Sequence, residues 1–376
     1  MNETRATRYQ RLKRRAQVAA ALSGGAMLAL VALTPLSRLL AAGADRVAAG
    51  LPPAAYAIVA LVVFVAFVVV LWEIASLPAM VYLALRVDAR YGRETASVED
   101  VFAAQFQATL LVLPAALAAG GVVRAAASVA GAAWWVAAGI ALAALLLAVM
   151  QIAPRLLATL AGARPLPRAD LAARLAALSR RGGVPVAGIF ELPAGASSGT
   201  AALVSGLGRR RHIFISSELV RHWTDEEIDV VIAHELGHHA HGDLWRTLAF
   251  DAAALSAGLL LAQAALWLAG PSLGLTGAGD LAALPFIALI AALAWSGSTP
   301  LRHAVSRRQE RRADAFALAL TGGADAFDTA IRRLASRHLA EERPSVIARW
   351  LFHAHPTVAE RLDYTRAYRD VRSRIV

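Results

Sequence analysis

The chain contains no cysteine and a single lysine, Lys13. The first absence excludes disulfides and thiol catalysis, and by that criterion leaves the compartment open. The second means that the basic character is carried by arginine, and the arginine and alanine excess is also what coding bias, rather than selection for binding, would produce. Charged residues reach only 17%, while hydrophobic residues make up 58%, against roughly 45–50% for an ordinary soluble domain. No internal repeat or low-complexity tail is present. The net charge of +11 comes without interleaved aromatics or a recognisable nucleic-acid module, which argues for no nucleic acid as partner. The arginines instead flank apolar runs, where anionic lipid headgroups are the natural counterpart.

A mean hydropathy of +0.53 over 376 residues fits a membrane setting. Candidate spans lie at about Val18 to Ala42, Ala55 to Leu85, Phe102 to Val123, Val129 to Ile152, Leu248 to Ala269 and Leu281 to Trp295. Most are near the ~20 residues that a bilayer crossing needs, and the last is the shortest. The second is overlong and carries Glu73, which implies tilt, a kink near Pro78, or a carboxylate facing a polar interior. Arg5, Arg8, Arg11, Lys13, Arg14 and Arg15 precede the first span, and Arg86, Arg90 and Arg93 follow the second, so these flanks are expected in the cytoplasm. Six spans then put 154–243 and 301–376 together on that side. The basic head and the small residues Ala41 to Ala44 also fit a signal peptide, but the apolar stretch is longer than a signal core, and a retained span is expected.

The chemistry concentrates in His234-Glu235-Leu236-Gly237-His238. Two histidines four residues apart project from one helical face and can grip one metal, while the glutamate beside the first is placed to deprotonate a water held there. Thr224 and Glu227 form a capping-box start, Ile228, Val231 and Ile232 give a buried stripe, and Gly242 a stop. A histidine-rich helix end complementing the helix dipole is the competing reading, and it suits His239 and His241 well.

A catalytic zinc site wants three protein ligands and one open position. A metzincin would need Gly at 241 and His at 244, but those positions hold His241 and Leu244. Between Asp243 and Glu310 the only acids are Asp251 and Asp280, each within or beside an apolar stretch, which makes Glu310 the first good candidate. Asp314 follows by one helical turn and shares its face, suiting a carboxylate that orients a metal-bound histidine. The same stretch also reads as a solvated helix whose four arginines pair with two acids.

Beside the zinc helix and the segment from Glu310 to Asp314, the chain carries Tyr91-Gly92, Pro165-Leu166-Pro167, Gly206-Leu207-Gly208, His355-Pro356-Thr357 and Arg361-Leu362 in order. Together these resemble the type 1 CAAX prenyl endopeptidases and their bacterial relatives, integral-membrane zinc metalloproteases distantly similar to HtpX. The resemblance covers most of the chain. It implies one zinc ion per chain held by His234, His238 and Glu310, with Glu235 as general base and Asp314 behind a ligand. It also implies that His355 and Arg361 face the developing oxyanion, although Arg361 could equally pair with Asp363 or Glu360. One departure stands out: relatives usually carry an Asn where this chain has Ala201.

The expected fold is a multi-pass α-helical membrane protein with a small α+β zinc-metallopeptidase domain, gluzincin-like, split by a membrane hairpin. The expected parts are a basic tail (1–17), a four-span membrane region (18–153), a first catalytic part (154–245), a two-span hairpin (246–299) and a second catalytic part (300–376). In the first catalytic part a helix is expected from Asp170 to Arg180, with strands near Val184 to Leu192, Thr200 to Val204 and Arg211 to Ser216. His212 to Ile215 offers an edge for an extended peptide, or is an ordinary half-buried strand. The expected function is cleavage of peptides or membrane proteins at the cytoplasmic side of the cell membrane, for processing or quality control. The rivals are an antirepressor-type signalling protease, for whose sensing domain the outer loops leave no room, and a catalytically silent scaffold. An intramembrane site-2-type protease lacks its Leu-Asp-Gly partner here. Oligomeric state and physiological substrate stay open.

Overall fold

A computed structural model describes residues 4–92, 97–193, 202–337 and 339–373. They form two compact units that alternate along the chain.

One unit spans residues 8–143 and 251–298. Its helices begin with α1 (Arg5–Leu33), α2 (Leu36–Ala48), α3 (Pro53–Tyr82), α4 (Val98–Ala130) and α5 (Trp134–Leu160). Parts of α9 (Asp243–Leu273) and α10 (Leu284–Thr321) complete it. Five segments among the described residues are long and apolar enough to cross a membrane. The longest, Val98–Ile152, joins α4 and α5 through Gly131 (φ 53°). At 1.5 Å per residue its 55 residues would measure about 80 Å, enough for two crossings of a ~30 Å core. The first expected span is placed differently in the structure. Helix α1 starts at Arg5, and the run is broken after Leu33 rather than continuing to Ala42. The cause is Pro35, which lacks an N–H and disfavours helix at the residue before it.

Small residues let these helices approach closely. A Cβ on Gly258 would meet the Ala291 backbone at 3.3 Å, and one on Gly139 would meet Ser256 Oγ at 2.7 Å. Phe64, Trp134, Ala262 and Phe286 lie in the resulting core. The Glu73 carboxylate accepts a bond from Gln105 Nε2, a paired acid within an apolar helix. Past Pro78, α3 loosens into a π-helical turn, Leu83–Asp88. Asp88 takes a bond from Tyr9 Oη at 2.8 Å, and the Tyr9 ring packs on Tyr91.

The other unit spans 1–7, 144–250 and 299–376. Its strands are β1 (Arg164–Pro165), β2 (Gly188–Leu192), β3 (Ala202–Ser205) and β4 (His212–Ser216), ordered β1-β2-β4-β3. β4 runs parallel to β2 and antiparallel to β3. Flanked on both edges, it is buried from Ile213 to Ser216, so it cannot offer an edge to a peptide, correcting that reading of the sequence. Among the described residues the edges belong to β1 and β3. Helices α6 (Ala169–Arg181), α7 (Ser217–His222), α8 (Asp225–Ala240), α11 (Ala324–Arg337), α12 (Val346–Phe352) and α13 (Val358–Ser373) accompany the sheet, together with the end of α10. Leu171, Leu175 and Leu178 of α6, Ile213 and Ile215 of β4, Ile228 and Ile232 of α8 and Phe327 of α11 make a dry core. Ala201 lies outside the described residues.

Candidate metal centre

Helix α8 begins with a reciprocal capping box: Glu227 N donates to Thr224 Oγ1 at 3.2 Å, and Thr224 N to Glu227 Oε2 at 3.0 Å. It ends at Gly242, whose φ of 66° lets the chain turn directly into α9. Two helical turns before the end, its apolar face is replaced by His234, Glu235 and His238. Gly237 sits where α8 meets α10, because a Cβ there would come within 3.0 Å of Ala313 Cα. That close approach brings Glu310 of α10 up to the two imidazoles.

Ligand-capable atoms of His234, His238 and Glu310 lie within 4.8 Å of one another. His234 Nε2 is 3.3 Å from Glu310 Oε2, and His238 Nε2 is 3.5 Å from Glu310 Oε1. Donors about 2.1 Å from a tetrahedral ion lie about 3.4 Å from each other, so the spacing fits a coordinated ion. Glu310 Oε2 is buried without a well-angled hydrogen bond, although His355 Nδ1 is only 2.8 Å away. Such an oxygen suits a cation.

The other ring nitrogens are held from behind. His234 Nδ1 is 2.9 Å from Asp314 Oδ1, and His238 Nδ1 is 3.0 Å from Asp243 Oδ2. Each pair fixes a ring so that Nε2 points inward. Asp314 is held in turn by Arg361, whose Nε donates to Oδ2 at 2.9 Å while its Nη2 reaches Oδ1. Asp243 takes a bond from Arg312 Nη2 at 2.7 Å. Arg361 therefore pairs with neither of its near neighbours in sequence: Glu360 is engaged by Arg349 and by Thr357 N, and Asp363 by Arg366. Its guanidinium lies on the Nδ1 side of His234, 5.6 Å over the Phe327 ring.

Burial disfavours the charged ring of His234, but bonds to Asp314 and Glu310 outweigh it and push its pKa up to about 9. His238 is raised as well, burial being outweighed by Glu310 and Asp243. Burial pushes the Glu235 carboxyl up, with His234 and His238 partly opposing. A base poised above the ordinary carboxylate range is suited to taking a proton near neutrality.

The structure thus gathers His234, Glu235, His238, Glu310, Asp314, His355 and Arg361 into one site. Sequence reasoning missed Asp243 and Arg312. The signal was available, since each metal-binding histidine wants a carboxylate or carbonyl behind it, and Asp314 alone could serve only one of the two. It also missed His239, whose Nε2 lies 3.0 Å from the Val204 carbonyl and so ties edge strand β3 to the metal helix.

The model of peptidase family M48 matches residues 165–369, and that of the CAAX prenyl protease N-terminal region, five membrane helices, matches residues 3–160. The chain is 27% identical over 205 residues to an uncharacterized metalloprotease, YhfN, of Bacillus subtilis (strain 168), covering 53% of this chain and 48% of that one. It is 31% identical over 163 residues to a protease HtpX homolog of Campylobacter curvus (strain 525.92), covering 42% and 53%. The chain thus spans about half the length of these curated relatives. The crystal structure of S. mikatae Ste24p has the same fold, with a TM-score of 0.80 at 17% identity, covering 96% of this chain and 88% of that one. Because the peptidase model spans more than half of the chain and contains every residue of the metal centre, this multi-pass membrane protein belongs to peptidase family M48.

Proposed function

We propose that the chain is a zinc-dependent endopeptidase that cleaves peptides or membrane proteins at the cytoplasmic face of the membrane, for processing or quality control. The observation that carries this reading is the convergence of His234 Nε2, His238 Nε2 and the Glu310 carboxylate, with Glu235 beside them. Two imidazoles and a carboxylate with an open side are the donor set of catalytic zinc. One zinc ion held there would polarise the scissile carbonyl and acidify the attacking water.

The protein's own groups supply the rest. Glu235, its pKa raised by burial, accepts the proton of the attacking water and returns it to the leaving amine. His355 is the exposed member, 69% accessible, and can turn from Glu310 towards an oxyanion. Arg361 works through Asp314, holding the carboxylate that aims His234, and so acts as a positioning residue rather than facing the oxyanion. An extended substrate would add to the outer edge of β3, which His239 keeps at a fixed distance from His238. The cytoplasmic assignment rests on the arginines that flank the first two spans.

The test is proteolysis of an unfolded membrane-protein reporter by detergent-purified protein, beside Glu235→Gln, with zinc content recorded for both. The reading expects chelator-sensitive cleavage by the parent and a zinc-loaded variant slowed by about 10²–10⁴-fold. A parent that binds no zinc would overturn the site. Zinc-loaded protein without cleavage of any reporter would favour the silent scaffold.

A further inference from the structure

Helix α12, Ser345-capped and seven residues long, buries almost nothing apolar. Val346 and Ile347 are each 72% exposed, Trp350 49%, Leu351 43% and Phe352 41%, while only Ala348 is buried. Positions 346, 347, 350 and 351 share one face of a helix, so the exposed groups form a continuous apolar stripe rather than scattered side chains. A soluble surface rarely carries such a patch without a partner.

The stripe is tied to α10 just beyond its apolar run. His303 Nδ1 lies 3.1 Å from the Trp350 carbonyl, and Arg307 Nη1 donates to the Arg349 and His353 carbonyls at 3.2 and 2.8 Å. The Arg307 guanidinium also lies 6.0 Å over the Trp350 ring. Exposed Leu301 precedes these contacts on α10, and the apolar run itself ends near Trp295, about 12 Å earlier along the helix axis. Apolar surface, a tryptophan and arginines on the continuation of a membrane-capable helix are the side-chain types of the membrane interface. Arg343 is exposed just ahead of the stripe and complements anionic headgroups.

We propose that α12 is an interfacial helix whose Val346, Ile347, Trp350 and Leu351 face lies in the headgroup and upper acyl region of the leaflet at which α10 leaves the membrane. The occupant of the stripe is lipid, not a second copy of the chain or a bound peptide. The consequence reaches the metal centre, because His353 and His355 follow α12 directly and Arg307 stands one helical turn before Glu310 on the same face of α10. Seating α12 in lipid fixes the loop that carries His355 over Glu310. The proposal rests on the membrane helices and does not require that the chain be an active protease.

The absence of cysteine makes the test direct, since Ile347→Cys supplies the only thiol for an environment-sensitive fluorophore. The labelled full chain is placed in nanodiscs of phosphatidylcholine with phosphatidylglycerol, beside Leu351→Cys as a second position on the stripe. Arg366→Cys, at an exposed position of α13, serves as the control. The expected result is a blue-shifted emission at 347 and 351, quenched by lipids doxyl-labelled near the headgroup and shielded from aqueous iodide, with the opposite pattern at 366. Iodide quenching without lipid quenching at both stripe positions would show a water-facing helix and overturn the proposal. Shielding from both quenchers would show protein covering the stripe and overturn it equally.

Discussion

His238 and Asp243 stand on either side of the turn at Gly242 and meet side chain to side chain, Nδ1 to Oδ2 at 3.0 Å. The carboxylate is buried and its other oxygen is taken by Arg312. The ring of His238 is therefore aimed by a group that is itself immobilised, and its inward nitrogen inherits that direction.

Asp243→Asn keeps the shape and removes the charge. Zinc affinity, measured by chelator competition, is expected to fall by about 10–100-fold with little change in thermal unfolding. Unchanged affinity would mean that the turn alone aims the ring.

Gly237→Ala puts a methyl 3.0 Å from Ala313 Cα and about 3.3 Å from the Phe316 side chain. Helices α8 and α10 must part, at a cost of about 1–3 kcal/mol, and Glu310 moves away from the imidazoles with them. A lowered unfolding temperature with weakened metal retention is expected. A variant as stable as the parent would show that the contact can give way elsewhere.

Arg361→Ala leaves the buried Asp314 carboxylate without its cation, at a cost of about 3–5 kcal/mol. Arg361→Lys restores the charge but not the two-pronged grip, so its loss should be smaller. Zinc content and unfolding temperature are the readouts that separate roles. If Arg361→Ala keeps both and loses only turnover, Arg361 acts on the substrate instead.

The raised pKa of His234, about 9, leaves its ring charged at pH 7 when no metal is bound. A ligand must be neutral, so metal binding should release at least one proton per ion, and His238 adds to this because its pKa is raised in the same direction. Affinity should then rise with pH up to the free-state pKa values and level off above them. Calorimetric titration with zinc in buffers of different ionisation enthalpy reads the proton count directly, and a heat independent of buffer would contradict it.

The parts of this fold that could be read ahead of the structure were those governed by local periodicity. The helix that carries His234 and His238, its capping box and its glycine stop follow from residues within one or two turns of each other. The long apolar runs were legible for the same reason, although Pro35 ended the first one early. What escaped depends on pairing across the chain. A hydrophobic run such as Ile213 to Ile215 does not say which strands flank it, and β4 proved central rather than peripheral. The two-residue strand β1 is too short to show a period. Arg361 had acidic neighbours in sequence, but its partner Asp314 is 47 residues away and reaches it only through tertiary packing. Asp243 is five residues past His238, and only the conformation of Gly242 brings it back.

Four carboxylates gather at the metal centre, from Glu235, Asp243, Glu310 and Asp314, and three guanidiniums answer them directly, from Arg246, Arg312 and Arg361. With neutral imidazoles the cluster carries one uncompensated negative charge. A divalent ion more than offsets it, and so do two protons on His234 and His238. Exchanging one for the other leaves the net charge unchanged, while the positive charge moves from one point between the ligands to the two imidazole rings. Acid can therefore empty the site without changing the net charge of the cluster, because two protons take the place of the ion among the buried carboxylates.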